Sequence, residues 1–111
     1  MFDTKIAIVV RDDLAVWQKL NVTAFLTSGL LGARAELLGE VYKDAAGNTY
    51  NPLLIQPIMV LTTDGPGLSK IHARALKRDA KLSIYIEEMF ATGHDAANRA
   101  AVLRHDPQDM N

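Results

Sequence analysis

An unbroken aliphatic run, Ile6–Val10, constrains the fold more than any other feature of the chain. Five aliphatic residues in succession are typical of a strand that is covered on both faces, as in a parallel sheet between helices. A charged turn, Arg11–Asp13, follows the run. Open α/β sheets usually place their ligands at the carboxyl ends of such strands. The feature therefore predicts an α/β fold and directs attention to one edge of its sheet, but it names no reaction.

The segment after this turn predicts a helix that is apolar on nearly every side and ends at Gly29 or Gly32. A helix of this kind is either buried or lies at an oligomer interface. The two glycines would allow another backbone to approach closely. The apolar positions that cover most of the helical wheel are Val16, Trp17, Leu20, Val22, Ala24, Phe25, Leu26, Leu30 and Leu31. We expect the aromatic rings among them to lie in the core.

The middle of the chain predicts a hairpin, a strand and a helix. Residues 37–51 favour a small hairpin or an ordered loop, with its turn near Gly47. The aliphatic run at 58–61 predicts a second buried strand. The turn 64–67 then leads into a helix with an apolar stripe of 3.6-residue period.

The last third predicts one more strand and one more helix. Residues 82–86 alternate between apolar and polar side chains, which indicates a strand with one exposed face. Thr92 and Asp95 have the spacing of a capping box and would open a helix of small residues. That helix would end before Pro107.

This order of elements predicts a single three-layer α/β/α domain over residues 1–105, with a polar C-terminal tail at 106–111. A mixed four-stranded sheet results if the hairpin joins the sheet edge. A chain of 111 residues is long enough for one domain.

Composition limits the function classes. The formal net charge is −1, so the molecule as a whole has no attraction to nucleic acid or membranes. The chain has no cysteine, which excludes disulfides and thiol catalysis and suits a cytoplasmic location. We expect no signal peptide, because the N-terminal aliphatic run is short and Asp3 precedes it. No apolar stretch approaches a membrane span.

Carboxylates follow each predicted strand at its carboxyl end. If the strands are neighbours, these groups share one rim of the sheet, where paired carboxylates could perform acid/base chemistry or hold Mg²⁺. The simpler interpretation is that Arg11 pairs with some of them and water solvates the rest. We favour the simpler interpretation and predict neither a metal site nor a cofactor. The carboxylates are those of Asp12, Asp13, Asp64, Glu87 and Glu88.

Two further clusters have both a functional and a structural interpretation. Cations at Lys70, Arg74 and Lys77, with Arg78 and Lys81, form one stripe along the second helix. Such a stripe could contact phosphates, although it is more often the solvated face of an amphipathic helix. The loop 92–95 could offer backbone N–H groups and His94 to an anion, but a capping role for Thr92 is the better explanation.

The segments KIAIVVRDDLAVWQKLNVTAFLTSG, QPIMVL and MFATGHDAANRAAV resemble an uncharacterised bacterial family, domain of unknown function 2000. Its members look similar in fold to type II peptidyl-tRNA hydrolases, which have a mixed sheet between helices and are often dimeric. The resemblance therefore implies such a scaffold and a homodimer for this chain.

The resemblance to the hydrolases can be followed at individual positions. Their strand ending VVR corresponds to Val9–Arg11. With one extra residue before the helix, their catalytic lysine position falls at Asn21 and their histidine position at Ser28. Their aspartate and threonine positions fall at Glu88 and Thr92. The histidine and the lysine are thus absent, and serine cannot replace imidazole as a general base near neutral pH.

Two hypotheses follow. The first is a ligand-binding or regulatory module without hydrolase activity, which binds an unidentified small molecule. Its candidate ligand-binding residues are Arg11, Asp12, Ser28 and His94, with Asn21, Glu88 and Thr92 on the same rim. The second is a hydrolase of peptidyl-tRNA or a related ester. There Glu88 would be the base, Thr92 and Asn21 would orient the substrate, and the cationic stripe would contact phosphates. We rank tRNA below a small molecule as a partner.

Overall fold

The computed structural model describes residues 6–78, 80 and 82–107, and these residues form a mixed α/β architecture. They contain three α-helices and four strands, and the predicted fold class is confirmed at this level. In chain order, the elements are β1 (Ile6–Arg11), α1 (Val16–Ala33), a 3₁₀ turn (Ala35–Leu37), β2 (Tyr42–Lys43), β3 (Thr49–Tyr50), β4 (Ile58–Thr63), α2 (Gly65–Lys77), a second 3₁₀ turn (Glu87–Ala91) and α3 (Asp95–Leu103).

The core forms around β1. Its residues Ile6, Ile8 and Val10 are only 3–7% exposed, but Ala7 on the other face is exposed and Val9 is partly buried. The prediction of a strand covered on both faces therefore holds for one face only. Ile8 and Val10 pack with Val22 of α1, and partly buried side chains from other segments close this cluster. The alternating apolar residues of β1 therefore hold α1 against one face of the sheet.

β4 pairs with β1 in parallel, with Ile6 opposite Ile58, but it is not buried as we expected. Its four aliphatic side chains, from Ile58 to Leu61, are each 40–51% exposed. The prediction was wrong because α1 and α2 both pack mainly against β1 and leave β4 at the margin of the sheet.

The hairpin of β2 and β3 forms its own two-stranded antiparallel sheet. The expected four-stranded mixed sheet is therefore absent among the described residues. Pro52 and Pro57 flank the connection from the hairpin to β4, and proline has no N–H with which to extend a ladder. Residues 40–51 are all exposed, so the hairpin is an arm that extends from the body of the molecule.

Residues 82–86 join no strand ladder among the described residues, so the prediction of a third strand was wrong. The segment packs through side chains instead, and Ile86 is 4% exposed. It lies so close to α1 that a Cβ on Gly29 would come within 2.5 Å of the Ser83 hydroxyl oxygen. The neighbour at Gly29 is a side chain and not a backbone, and a Cβ at Gly32 would meet nothing within 4 Å, so the predicted backbone approach was wrong. α1 also continues beyond both glycines to Ala33.

Aromatic rings pack side by side along the first half of α1. Trp17 meets Phe90 edge-on at 6.0 Å, and Tyr85 lies between Phe90 and Phe25. Trp17 and Phe25 are nevertheless 62% and 53% exposed, so their prediction as core residues was wrong. Pairing with neighbouring rings covers only one side of each.

α3 begins one residue after His94, whose Nδ1 accepts a hydrogen bond from the Ala97 N–H at 3.2 Å. The capping prediction for Thr92 was therefore wrong, because its hydroxyl donates instead to the Met89 carbonyl at 3.0 Å. The last four residues of the predicted tail, 108–111, lie outside the described residues. No helix in the described part of the chain is long and apolar enough to span a membrane.

Candidate ligand-binding site between the two helices

A cavity of about 960 Å³ lies between β1, α1, α2 and residues 82–87. The walls are mainly apolar and come from three directions. Their principal residues are Val22, Leu26 and Leu30 of α1, Leu68, Ile71 and Ala75 of α2, and Leu82, Ile84 and Ile86.

A few polar side chains also line the cavity. Thr27 projects from α1, but its hydroxyl already donates to the Thr23 carbonyl at 2.8 Å. His72 lies on α2 and is half-buried. Such a composition, apolar walls with a small number of polar groups, is typical of small-molecule sites.

The charged mouth of the cavity is built on Arg11, the last residue of β1. Its Nε and one terminal nitrogen donate to the two carboxylate oxygens of Asp13, each at 2.9 Å. Its other terminal nitrogen donates to Glu87 at 3.1 Å. The Arg11 side chain is 19% exposed, whereas those of Asp13 and Glu87 are 61% and 56% exposed. The guanidinium is therefore held in place by two carboxylates that remain open to solvent.

This pairing fixes the charge state of the mouth. The hydrogen bonds that Arg11 donates to Asp13 and then to Glu87 raise its pKa above the ordinary value. The same guanidinium lowers the pKa of the Asp13 carboxyl. One cation between two carboxylates leaves a formal charge of −1 near neutral pH. A smaller cavity of about 380 Å³ adjoins the mouth and shares these three side chains with the larger one.

Glu88 belongs to a separate cluster. Its carboxylate accepts a hydrogen bond from Arg104 at 2.6 Å and also contacts Nε2 of His105. Contact first with His105 and then with Arg104 lowers the pKa of Glu88. Glu88 therefore faces the end of α3, while its neighbour Glu87 faces Arg11.

The remaining predicted site residues are dispersed. Asp12 is exposed beside the mouth, and its backbone N–H donates to the Thr63 carbonyl at 2.8 Å. Asn21 and Ser28 lie on α1 outside the described cavity lining, and the Ser28 hydroxyl donates to the Phe25 carbonyl at 2.6 Å.

Thr92 and His94 both serve the start of α3. Thr92 contacts Asn98 of that helix in addition to its bond with Met89. The His94 ring caps the helix, so its Nδ1 is already occupied. Of the residues selected as catalytic or ligand-binding, the structure thus brings only Arg11 to the cavity, while Asp12 follows it on the exposed surface and the others lie elsewhere.

The cationic stripe lies on the exposed surface of α2. Lys70, Arg74, Lys77 and Arg78 are all exposed, and the described residues include no ion-pair partner for any of them. Lys81, the last predicted member, lies outside the described residues.

Sequence reasoning placed Glu87 among the rim carboxylates but chose its neighbour Glu88 for the site. A turn of 3₁₀ helix at Glu87–Ala91 points consecutive side chains in different directions, and the sequence carries no signal for it. His105 was missed in the same way, because its contact with Glu88 joins two segments far apart in the chain. Within the described ranges, no group of three or more histidine or acidic side chains is placed to hold a metal ion.

The fold and the cavity together define a small α/β protein with a ligand-sized pocket beside its central strand. The family model for a protein of unknown function, DUF2000, matches residues 4–111, and the chain belongs to this family. The structure of Atu0240, a protein of unknown function from Agrobacterium tumefaciens strain C58, is similar, with a TM-score of 0.97 and 63% sequence identity. That alignment covers 99% of this chain and 82% of the Atu0240 chain. No curated protein matches the sequence.

Proposed function

We propose that this protein is a cytoplasmic ligand-binding or regulatory module without hydrolase activity, on a scaffold related to type II peptidyl-tRNA hydrolases. The observation that carries the proposal is the cavity beside β1, with apolar walls and an ion-paired mouth at Arg11. Its volume of about 960 Å³ lies at the upper end of the range of about 300–1,000 Å³ found for small-molecule sites.

The walls and the mouth specify different parts of the ligand. Apolar side chains from three segments favour an apolar ligand body, since its burial contributes about 25 cal/mol for each Å² removed from water. Arg11 has five N–H donors, and its bonds to Asp13 and Glu87 leave some of them for a ligand. The formal charge of −1 disfavours an anionic group. The ligand class is therefore an apolar molecule with a neutral or cationic polar end.

Catalysis has weaker support than binding. A general base is most effective when its pKa lies near the working pH. The contacts of Glu88 with His105 and Arg104 move its pKa in the opposite direction. The carboxylate that the hydrolase hypothesis requires is therefore stabilised in its ionised form by partners that also occupy its oxygens.

The test uses Trp17, the single tryptophan, which packs against Phe90 at the cavity mouth. Three probes share a ten-carbon body and differ in the head group: decanol, decyltrimethylammonium and decanoate. Titration followed by Trp17 fluorescence should give saturable binding of the first two and at least tenfold weaker binding of decanoate. If none of the three probes gives a saturable change, the proposal is wrong.

A matched pair of variants assigns that binding to the cavity. Ala75 lines the cavity, whereas Ala73 lies on the exposed side of the same helix. Ala75→Phe should fill the space and weaken decanol binding at least tenfold, and Ala73→Phe should leave the affinity unchanged. Equal effects of the two variants would place the probe elsewhere.

The second candidate is the hydrolase of peptidyl-tRNA or a related ester, which the exposed cations of α2 favour. Unpaired cations on one helix face can contact successive phosphates, with an affinity that falls as salt is added. The test measures retention and cleavage of peptidyl-tRNA in the same low-salt sample. An RNA-binding surface on α2 is supported if Arg74→Glu and Lys77→Glu abolish retention of the tRNA. The control Arg99→Glu on α3 should not abolish it. Cleavage that is lost in Glu88→Gln would support the hydrolase.

A further inference from the structure

The sequence of β4 is inconsistent with its position in the sheet. Four consecutive aliphatic residues, Ile58–Leu61, are typical of an interior strand covered on both faces. In the structure this strand pairs with β1, and no other strand of the described residues lies along its second edge. Both of its faces are also exposed, at 48% for Met59 and 51% for Val60, which point to opposite sides of the sheet.

The open edge has none of the usual protection. Edge strands normally carry charged side chains, prolines or bulges that prevent pairing with another chain. Between Pro57 and Asp64, β4 has only aliphatic residues and two threonines. An edge of this kind favours pairing with a further strand.

The accessible surface area of the chain indicates how much surface a partner could bury. The chain exposes 8294 Å², roughly 2,200 Å² more than the approximately 6,100 Å² expected for a folded monomer of its mass. Its radius of gyration of 16.1 Å compares with about 13 Å expected for a compact domain of this length. A permanent homodimer commonly buries about 2,000–5,000 Å² in total, or at least about 1,000 Å² per chain. The excess belongs to the whole chain, including the exposed hairpin arm, and is large enough to contain an interface of this size.

We propose that β4 pairs antiparallel with β4 of a second copy of this chain across a two-fold axis. The result is a continuous four-stranded sheet in the order β1–β4–β4–β1. A two-fold contact joins the same surface of both copies, and an aliphatic strand with no charges can pair with itself without repulsion. Leu53 and Ile55 precede β4 in the chain, are 62% and 47% exposed, and extend the apolar surface towards the hairpin arm.

The first test is the molar mass of the protein by size-exclusion chromatography with light scattering. The wild type should have twice the chain mass of 12.2 kDa. Val60→Glu places a carboxylate in the open strand and should halve that mass. The control is Leu103→Glu on α3, a position that is 88% exposed and should leave the dimer intact. A monomeric wild type, or a Val60→Glu protein that remains dimeric, would overturn the proposal and leave β4 to a different occupant.

A second test does not depend on a destabilising charge. Because the chain has no cysteine, each single-cysteine variant reports only its own position. With Met59→Cys, Val60→Cys and Leu61→Cys, at least one variant should oxidise to a disulfide-linked dimer, since antiparallel partners near the axis lie within disulfide reach. Leu103→Cys should remain monomeric on denaturing gels. Absence of crosslinking at all three strand positions, or equal crosslinking at Leu103→Cys, would contradict the pairing.

Discussion

β1 and β4 have similar sequences but very different surroundings. Each begins with an isoleucine and continues with aliphatic residues, and the two strands pair rung by rung from Ile6 opposite Ile58. Ile6 is 7% exposed and Ile58 is 40% exposed. The difference arises from the helices, which pack mainly against β1. An aliphatic run therefore predicts that other segments bury a strand. Only the tertiary structure decides whether those segments belong to the same chain.

The largest expected effect comes from replacing isoleucine by alanine at each of two paired positions, Ile6 in β1 and Ile58 in β4. Ile6→Ala removes buried methylene groups and should cost about 2–4 kcal/mol of unfolding free energy. Ile58→Ala at the exposed position should cost about 1 kcal/mol or less in a dilute sample. Urea unfolding measures both values.

Protein concentration sharpens this comparison. If β4 is buried in a dimer, the cost of Ile58→Ala should grow as the concentration rises, because dimerisation stabilises the folded state by mass action. The cost of Ile6→Ala should stay nearly constant. If Ile6→Ala and Ile58→Ala lower the unfolding free energy equally at low protein concentration, the difference in burial between β1 and β4 does not affect stability.

A second prediction concerns the packing of α1 against residues 82–86. A Cβ at Gly29 would lie 3.0 Å from the Ser83 Cβ, whereas a Cβ at Gly32 would meet nothing within 4 Å. Alanine is better than glycine in a helix by about 1 kcal/mol. Gly32→Ala should therefore raise the unfolding free energy by about 0.5–1 kcal/mol, and Gly29→Ala should lower it or leave it unchanged. Thermal and urea unfolding of both variants provide the measurement.

A double variant tests whether the Ser83 side chain causes the effect of Gly29→Ala. If the Ser83 side chain causes the effect, the double variant Gly29→Ala with Ser83→Gly should regain the benefit of alanine in the helix. Equal stabilisation by the two single alanine variants would mean that α1 and Ser83 are not in close contact.

The smallest effect is expected in the hairpin arm, which contributes little to the core. Asp44 accepts hydrogen bonds from the Tyr50 hydroxyl at 2.6 Å and from Asn48, and these contacts lower its pKa from 3.8 to about 2. Because the folded pKa is lower than the unfolded value, the carboxylate stabilises the arm above about pH 4. This contribution is lost as the pH falls from about 4 to about 2.

NMR titration of the Asp44 carboxyl carbon measures this pKa directly. Tyr50→Phe removes the hydroxyl donor and should move the pKa of Asp44 up towards its ordinary value. Tyr42→Phe is the control, since Tyr42 is opposite Tyr50 in the hairpin but is not bonded to Asp44 among the described contacts. An unchanged pKa in Tyr50→Phe would contradict the assigned cause.

Much of the local structure was predictable. The aliphatic run predicted β1 and the burial of one of its faces, and the apolar segment predicted α1. The turn at 64–67 marked the start of α2, although the helix already begins at Gly65, where Asp64 accepts a hydrogen bond from the Gly67 N–H at 2.7 Å. These elements depend on short-range periodicity and on capping by neighbouring residues, which a sequence displays directly.

The candidate site was predictable only in part. Arg11 and the carboxylates near it could be assigned to the mouth because the carboxyl end of a buried strand is a general location for ligands. The choice between Glu87 and Glu88 could not be made, since it depends on a 3₁₀ turn and on partners far along the chain. The cavity itself depends on the spacing of two helices around β1, which no local pattern encodes.

The sequence by itself determined most of the helices and strands, although not the segment 82–91, and it determined where apolar residues and charges are concentrated. Only the tertiary structure decided that β1 is covered while β4 and the hairpin arm remain open. The physical reason is that hydrophobic burial is not directional: a pattern of apolar residues sets how much surface must leave water, and the packing of distant segments determines which surface does so.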